Sequence, residues 1–384
     1  MKKIVIATGI FAPDIGGPAT YLSQYIPHLQ QEGIEVSVVT FADDASGVEE
    51  TDFGKVIRIK RTQNIFLKIL RYAQGIRREI RDADGLYLHD IGGAGLVTYL
   101  VARKRIPYIV RIGGDFIWEQ AFQSGKTTLG YEAYQGKERG IYALRRKLAN
   151  VILRSAKVVI VPSTFLQSIA RQWDIGSPEK VQVVSNAVDM RTLETDDTHP
   201  LAKEMEGMRR AGKRVVVASG RFVNWKHFEM LIGAAMHTKN IEVYLVGDGP
   251  ERDAYVRHMQ RTEHVHLIRS LPRKELASTL KAADLFVLPS EGDTFSFVAL
   301  EAFALGTPLL LAKQAALPDI FGAYEGKGAN FFVGRRELEE QLKDVQVYKR
   351  PGENDIQEVL QQYDIENHYK GVRAIMADIF TETL

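Results

Sequence analysis

Short apolar runs alternate with stretches of helical spacing along this chain, and the whole plan occurs twice. In the first half, strands are expected at Lys3 to Thr8, Glu35 to Phe41 and Leu86 to His89, with helices over Tyr21 to Glu32 and Ile65 to Arg81 between them. Further strands fit Tyr108 to Ile112, Val158 to Val161 and Val181 to Val184, short apolar runs with no polar alternation. A strand that is apolar on both faces must be covered on both faces, as happens in a parallel sheet wound with helices. The second half repeats the pattern at Arg214 to Ala218, Glu242 to Val246, His264 to Ile268, Leu285 to Leu288 and Pro308 to Leu311. The octapeptides Ala156 to Ser163 and Ala283 to Ser290 echo each other, each a strand ending in Pro-Ser.

The fold class expected is therefore α/β, with two doubly wound domains in tandem. A chain of 384 residues accommodates two such domains comfortably. The first is expected over residues 1–190 and the second over 213–365, with the polar, unpatterned stretch 191–212 as linker. Residues 366–384 are expected to form a C-terminal helix, with the first domain as the surface it packs back on. Charge separates the halves as well: residues 1–190 carry 25 Lys and Arg against 19 Asp and Glu, and residues 191–384 carry 25 against 29. Ligands of such sheets bind beyond the carboxyl ends of the strands, so an interdomain cleft lined by those ends is the expected active site.

Several classes of function are excluded early. With no cysteine, the chain has no disulfide, thiolate metal site or cysteine nucleophile. The longest apolar stretches, such as Ile91 to Ala102, fall short of the roughly 18 residues that a membrane span requires. Met1-Lys2-Lys3 followed by Ile4 to Pro13 imitates a signal peptide, but the run is β-branched and leads into the turn Asp14-Ile15-Gly16-Gly17-Pro18, which suits a buried first strand better.

The residues suited to chemistry sit at predicted strand ends. Gly16 and Gly17 follow the first strand, where backbone N–H groups and a helix N-terminus can face an anion; a plain turn accounts for them equally. Arg221, after Ser219-Gly220, and Lys226 bring two cations to one strand edge, a combination suited to a diphosphate, although two solvated surface cations would read the same. Gly247-Asp248-Gly249-Pro250-Glu251 ends a strand and opens a helix, and a tight turn explains it. In Pro289 to Gly306, Asp293 lies in a loop and Glu301 eight residues later in an apolar helix, where burying a carboxylate is expensive unless something binds it. An N-cap role for Asp293 and a structural salt bridge for Glu301 are the alternatives.

Taken in order, the Gly-Gly turn, Val181 to Asp189, Gly220-Arg221 to Lys226, Gly247 to Glu251 and Asp293-x7-Glu301 resemble glycosyltransferase family 4 over nearly the whole chain. The resemblance implies the B-type glycosyltransferase fold of two facing Rossmann-like domains, and sugar transfer from a nucleotide donor with retention and without a metal. No cofactor is implied, since the UDP- or GDP-linked sugar is a substrate. It further implies that Arg221 and Lys226 hold the diphosphate, Glu301 the ribose, and that Asp293 sits beside the donor sugar. The backbone of Phe295, Ser296 and Phe297 would meet phosphate, while Gly16, Gly17 and Gly247 would admit the donor closely. The chain departs from the family where Asp293 replaces a glutamate, where Ser296 replaces a glycine, and where Gly113 stands in place of a histidine. His89 and Asp115 are then the candidates nearest the acceptor, a structural role for His89 standing beside that reading.

The D-x-D of Asp82-Ala-Asp84 precedes a strand and so lies at the wrong sheet edge for catalysis, and His264-Val-His266 has no carboxylate cluster near it. Nine Lys and Arg between Lys55 and Arg81 interleave with apolar residues. That segment reads either as a helix with a solvated basic back or as a surface meeting anionic lipid through Lys68, Arg71, Arg77 and Arg78. Nucleic acid is not expected as a partner, because the overall charge of +2 is nearly balanced and no nucleic-acid module is present. The expected function is a hexosyltransferase acting on a glycan, lipid-linked or small-molecule acceptor in polysaccharide assembly. The expected location is cytoplasmic, with the membrane face as a docking option. The alternatives are a nucleotide-sugar 2-epimerase and a non-catalytic nucleotide-sugar-binding relative.

Overall fold

The structure, a computed structural model, describes the chain apart from residues 1, 15, 16, 44, 45, 62, 63, 90, 189–192, 197, 261 and 382–384. It divides into two compact units. One comprises residues 1–117, 135–185 and 366–384, and the other residues 118–134 and 186–365. The first expected domain, 1–190, is thus corrected at two places: residues 118–134 and 186–190 cluster with the second unit.

The first unit is built on an eight-stranded sheet. In chain order its strands are β1 (Lys3–Ala7), β2 (Glu35–Ala42), β3 (Gly47–Thr51), β4 (Gly54–Lys60), β5 (Gly85–Leu88), β6 (Tyr108–Arg111), β7 (Val158–Val161) and β8 (Val181–Val183). They lie side by side as β3-β4-β2-β1-β5-β6-β7-β8, all parallel except β3 against β4. The buried strand β1 pairs with β2 and β5, Ile4 opposite both Val36 and Gly85. Its first residue, Lys3, is buried with its ammonium 3.1 Å from Asp82 and 3.6 Å from Glu79. Asp84 accepts from the backbone N–H groups of Lys2 and Lys3. Both acids of the D-x-D therefore anchor the amino end of β1, opposite the edge where ligands of such sheets bind.

The hairpin β3–β4 is absent from the sequence reading, because Lys55, Arg58 and Lys60 interrupt the apolar run; only Val56, Ile57 and Ile59 are buried. The helix Ile365–Thr381 presents Tyr369, Val372, Met376 and Phe380 as one buried stripe, and from residue 366 onward it belongs to the first unit. Phe380 fills the space above Gly85, where a Cβ would come within 2.3 Å of the ring.

The second unit holds a six-stranded, wholly parallel sheet ordered β11-β10-β9-β12-β13-β14. These strands are β9 (Arg214–Ser219), β10 (Ile241–Val246), β11 (Val265–Ile268), β12 (Leu285–Leu288), β13 (Leu309–Ala312) and β14 (Ala329–Phe332). Its centre, β9, β10 and β12, is almost entirely buried aliphatic and aromatic side chain. His266 contacts Glu242 at 2.8 Å and stacks on Tyr244, so that histidine has a structural place in the sheet. Among the described residues no group of three or more His, Asp or Glu is arranged to hold a metal ion, and no helix is long and apolar enough to cross a membrane.

Candidate functional site

In the second unit, the candidate donor residues gather on loops that leave the carboxyl ends of β9, β10 and β12. The first loop runs from Gly220 to His227. Gly247 has φ +156°, and a Cβ there would lie 2.0 Å from the carbonyl oxygen of Gly220. A side chain is therefore excluded by the close approach of two backbones, which accounts for this glycine without a ligand.

Lys226 donates to both carboxylate oxygens of Asp293, at 2.8 and 2.7 Å, and both side chains are largely buried. One cation of the predicted diphosphate pair is thus already neutralised. Arg221 is exposed, with no side-chain partner among the described residues, and its guanidinium fork is open to an anion. Beyond Asp293, Ser296 accepts from the N–H of Ala299 and caps the helix Phe297–Ala304. The serine that replaces a glycine in the family pattern therefore has a physical task, satisfying one of the first N–H groups of that helix. Phe295 is buried and packs edge-on against Phe297, which is partly exposed.

Glu301 lies buried on the same helix, and its Oε1 accepts from both Nε and Nη2 of Arg273 at 3.0 Å. Burial raises the pKa of this carboxyl, and the Arg273 guanidinium opposes that rise. The alternative of a structural salt bridge is therefore realised, whatever else Glu301 holds.

The sequence reading missed what ties these loops together. His227 adopts the left-handed conformation and stands between two carboxylates, with Nδ1 2.9 Å from Glu229 and Nε2 3.1 Å from Glu291. Burial alone would push the imidazole down; hydrogen bonds to Glu229 and Glu291 outweigh it and hold the pKa at about 9. The Glu291 N–H also donates to the Trp225 carbonyl at 3.0 Å. Residues 118–134 pack on the same loops: Trp118 is fully buried, 5.8 Å from Trp225, and a Cβ on Gly292 would lie 2.6 Å from its ring. Gln123 donates to Glu251 and accepts from the Asn224 N–H. A signal existed for His227 and Glu291, which stand one and two positions from Lys226 and Asp293; Arg273 and Trp118 have none.

The first unit holds the acceptor-side candidates. Gly16 lies outside the described residues, and Gly17 opens the helix Gly17–Gln31. His89 follows β5 and stacks on Tyr21 at 4.9 Å, with its Nε2 enclosed and without a hydrogen-bond partner among the described residues. Burial, followed by the nearby charge of Arg111, drives its pKa well below the usual histidine range. It is therefore a neutral ring at physiological pH.

Asp115 requires correction. It is fully buried, ion-paired to Arg146 and hydrogen-bonded to Gln135 at 3.2 Å and to the N–H of Ile117 at 3.1 Å. Arg146 also binds Glu138 at 2.9 Å and lies over Trp173. These contacts make Asp115 the counter-charge of a buried guanidinium, a structural role that the strand-end position alone did not reveal.

On the basic helix Ile65–Glu79, Asn64 caps the start and Tyr72, Ile76 and Glu79 are buried. Phe66 is 82% exposed, Ile65 55% and Leu70 54%. The apolar residues of its first half are thus exposed, while Tyr72 and Ile76 pack inward as the solvated-back reading expects. Arg71 is exposed in the same half, Arg77 and Arg78 are exposed in the last turn, and Lys68 lies over the Phe41 ring.

Two family models divide the chain. "Glycosyltransferase Family 4" matches residues 15–192, and "Glycosyl transferases group 1" matches residues 204–347. Among curated relatives, a D-inositol 3-phosphate glycosyltransferase of Corynebacterium glutamicum is 24% identical over 79% of this chain and 77% of its own length. An MMP alpha-(1->4)-mannosyltransferase of Mycolicibacterium hassiacum is 23% identical over 66% of this chain and 59% of its own. A D-inositol 3-phosphate glycosyltransferase of Mycobacteroides abscessus is 30% identical over 37% of this chain; only 33% of that relative is spanned. Among solved structures, sucrose-phosphate synthase from Thermosynechococcus elongatus superposes with TM-score 0.80 and 17% identity over the full length of both chains. Anabaena HepE in complex with UDP and glucose superposes with TM-score 0.75 and 18% identity over 98% of this chain and 100% of its own. At these identities the solved structures establish the fold, that of the B-type glycosyltransferases.

Proposed function

This chain belongs to glycosyltransferase family 4, and from that premise we propose that it transfers a sugar from a UDP- or GDP-linked donor, with retention of configuration and without a metal. The acceptor is a glycan, a lipid-linked sugar or a small molecule. The observation that carries this reading is the cluster at the strand ends of the second unit: exposed Arg221, the Lys226–Asp293 pair, the Ser296-capped helix and Glu301. A departing nucleoside diphosphate gains negative charge as its bond to the sugar breaks. Preorganised cations and helix N–H groups favour that state over the ground state, so they can supply the stabilisation a metal would otherwise provide. Arg221 offers its fork directly. Lys226 serves the diphosphate only as it turns from Asp293, which leaves Asp293 free to hydrogen-bond a donor-sugar hydroxyl.

The exposed apolar start of the helix Ile65–Glu79, with Lys68 and Arg71 in that half and Arg77 and Arg78 in the last turn, supports docking of the enzyme on an anionic, cytoplasmic membrane face.

The test is diphosphate release from UDP- and GDP-sugars in the presence of EDTA, with the anomeric configuration of the product read by NMR. Retention and unchanged rates with chelator are expected. Abolition by EDTA with rescue by Mn²⁺, or an inverted product, would overturn this reading.

A further inference from the structure

A cavity of about 390 Å³ opens in the first unit at the amino-terminal edge of β6 and β7, the edge opposite the one that carries His89. Its wall contains Arg103, Lys104, Arg105 and Lys157, and among the described residues no acidic one lines it. None of the four forms an ion pair with a described carboxylate. Two of them are held in place: Arg103 donates to the Tyr99 hydroxyl at 3.0 Å and lies over that ring, and Arg105 donates to the Val101 carbonyl. Side chains that merely complete a solvated surface keep their rotamer freedom, whereas a guanidinium already fixed loses less on binding an anion.

The obvious alternative is that these cations only offset helix ends, since the helix Gly93–Ala102 finishes at Arg103 and the helix Ile141–Ser155 finishes beside Lys157. Magnitudes argue against it. A helix end carries about half an elementary charge, and the second end is already served from elsewhere. Lys180 donates to the carbonyls of Leu153, Arg154 and Ala156 at 2.7, 2.8 and 3.3 Å. Four full charges therefore face at most one unserved helix end.

We propose that this pocket binds a phosphate-bearing ligand, either a soluble phosphorylated compound or an anionic phospholipid headgroup. Arg and Lys together suit such a group, the fork of Arg105 binding two oxygens while Lys104 and Lys157 act as point charges. Ile379, half-buried on the wall, provides an apolar border that an acyl chain or glycerol backbone can cover. The site is independent of the sugar-transfer reading.

The test is phosphorus-31 NMR of the full chain at low salt with two probes, inorganic phosphate and monomeric dihexanoyl phosphatidic acid. Saturable broadening of at least one resonance is expected. It should weaken at least tenfold in the triple variant Lys104→Gln, Arg105→Gln, Lys157→Gln, and persist in the double variant Arg221→Ala, Lys226→Ala. Binding of both probes with similar strength supports recognition of phosphate itself, and binding of the lipid alone assigns the ligand to a headgroup. Absence of broadening with either probe, or its loss in the Arg221, Lys226 variant instead of the triple variant, would overturn the proposal.

Discussion

His227 in the second unit is half-buried and His368 in the first is buried, and desolvation pushes each imidazole toward the neutral form. They end on opposite sides of neutrality because of their neighbours. Two carboxylates hold His227 at about 9. His368 contacts the Ser185 carbonyl and the Tyr21 hydroxyl, and burial, then the charge of Arg111, pushes it down to about 3 despite the carbonyl's opposing pull. Desolvation sets a penalty common to both, and the sign of the adjacent charge decides the outcome. The contrast extends beyond these two rings. In the first unit, neutral rings surround Arg111, and Asp115, Arg146 and Glu138 close on one another. In the second, charge collects on loops at strand ends, where Arg221 remains open to an anion.

If that contrast is real, removing a charge has different consequences in the two units. The largest effect is expected for Arg146→Ala, which leaves Asp115 and Glu138 buried without the guanidinium they share; breaking such a pair costs about 3–5 kcal/mol of stability. Chemical denaturation should show that loss. A variant as stable as the wild type would mean that the two carboxylates are neutralised elsewhere. Arg221→Ala should instead leave the melting temperature nearly unchanged and slow donor turnover, and Lys226→Ala should slow turnover while also costing stability, because it leaves Asp293 without its partner. Each removes a charge-assisted hydrogen bond of about 1.5–3 kcal/mol, or roughly ten- to 150-fold in rate. Unchanged turnover in both would remove the second unit's charges from the chemistry.

The histidines themselves give a smaller effect with a definite sign. Folding raises the His227 pKa, so its contribution is complete below the unfolded value of about 6.5 and is lost as pH rises through about 9. Stability should fall by about 1 kcal/mol per pH unit between pH 7 and 8.5. In His227→Asn, chosen because asparagine tolerates the left-handed backbone, that slope should vanish. His368, whose pKa is depressed, works in the other direction: its contribution is present above about 6.5 and is lost as pH falls toward about 3. Its replacement by glutamine should flatten the acid limb only. A single slope shared by both variants would erase the comparison.

The sheets were readable because nothing competes with a wholly apolar strand such as β7 or β12. The hairpin β3–β4 escaped because its buried residues are diluted by surface cations, and β14 because Ala329–Phe332 is short and offers little pattern. At the candidate site, sequence order was enough to bring forward Lys226, Asp293 and Glu301, since strand ends in a parallel sheet converge on one edge. Partner choice was not readable. That Asp115 belongs to Arg146, Glu301 to Arg273 and Trp118 to the Gly292 loop depends on contacts 28 to 174 positions apart, for which a single sequence carries no spacing rule.

The smallest expected effect separates the two acids on the donor loops. Glu301→Gln keeps the shape but loses the charge that Arg273 balances, so it should weaken binding of the bare nucleoside diphosphate by about 0.5–1.5 kcal/mol if the carboxylate also holds the ribose. Asp293→Asn should act in the opposite direction on that ligand. Lys226 is neutralised by Asp293 at 2.7 Å, and a diphosphate must compete with this carboxylate for the ammonium. Removing the competitor should leave affinity for the bare diphosphate equal or higher, while sugar transfer falls because the contact beside the sugar is lost. Isothermal titration of UDP and GDP against both variants, alongside a transfer assay, reads the two signs separately. Equal weakening of diphosphate binding in both would mean that Asp293 positions Lys226 for the phosphates instead of withholding it.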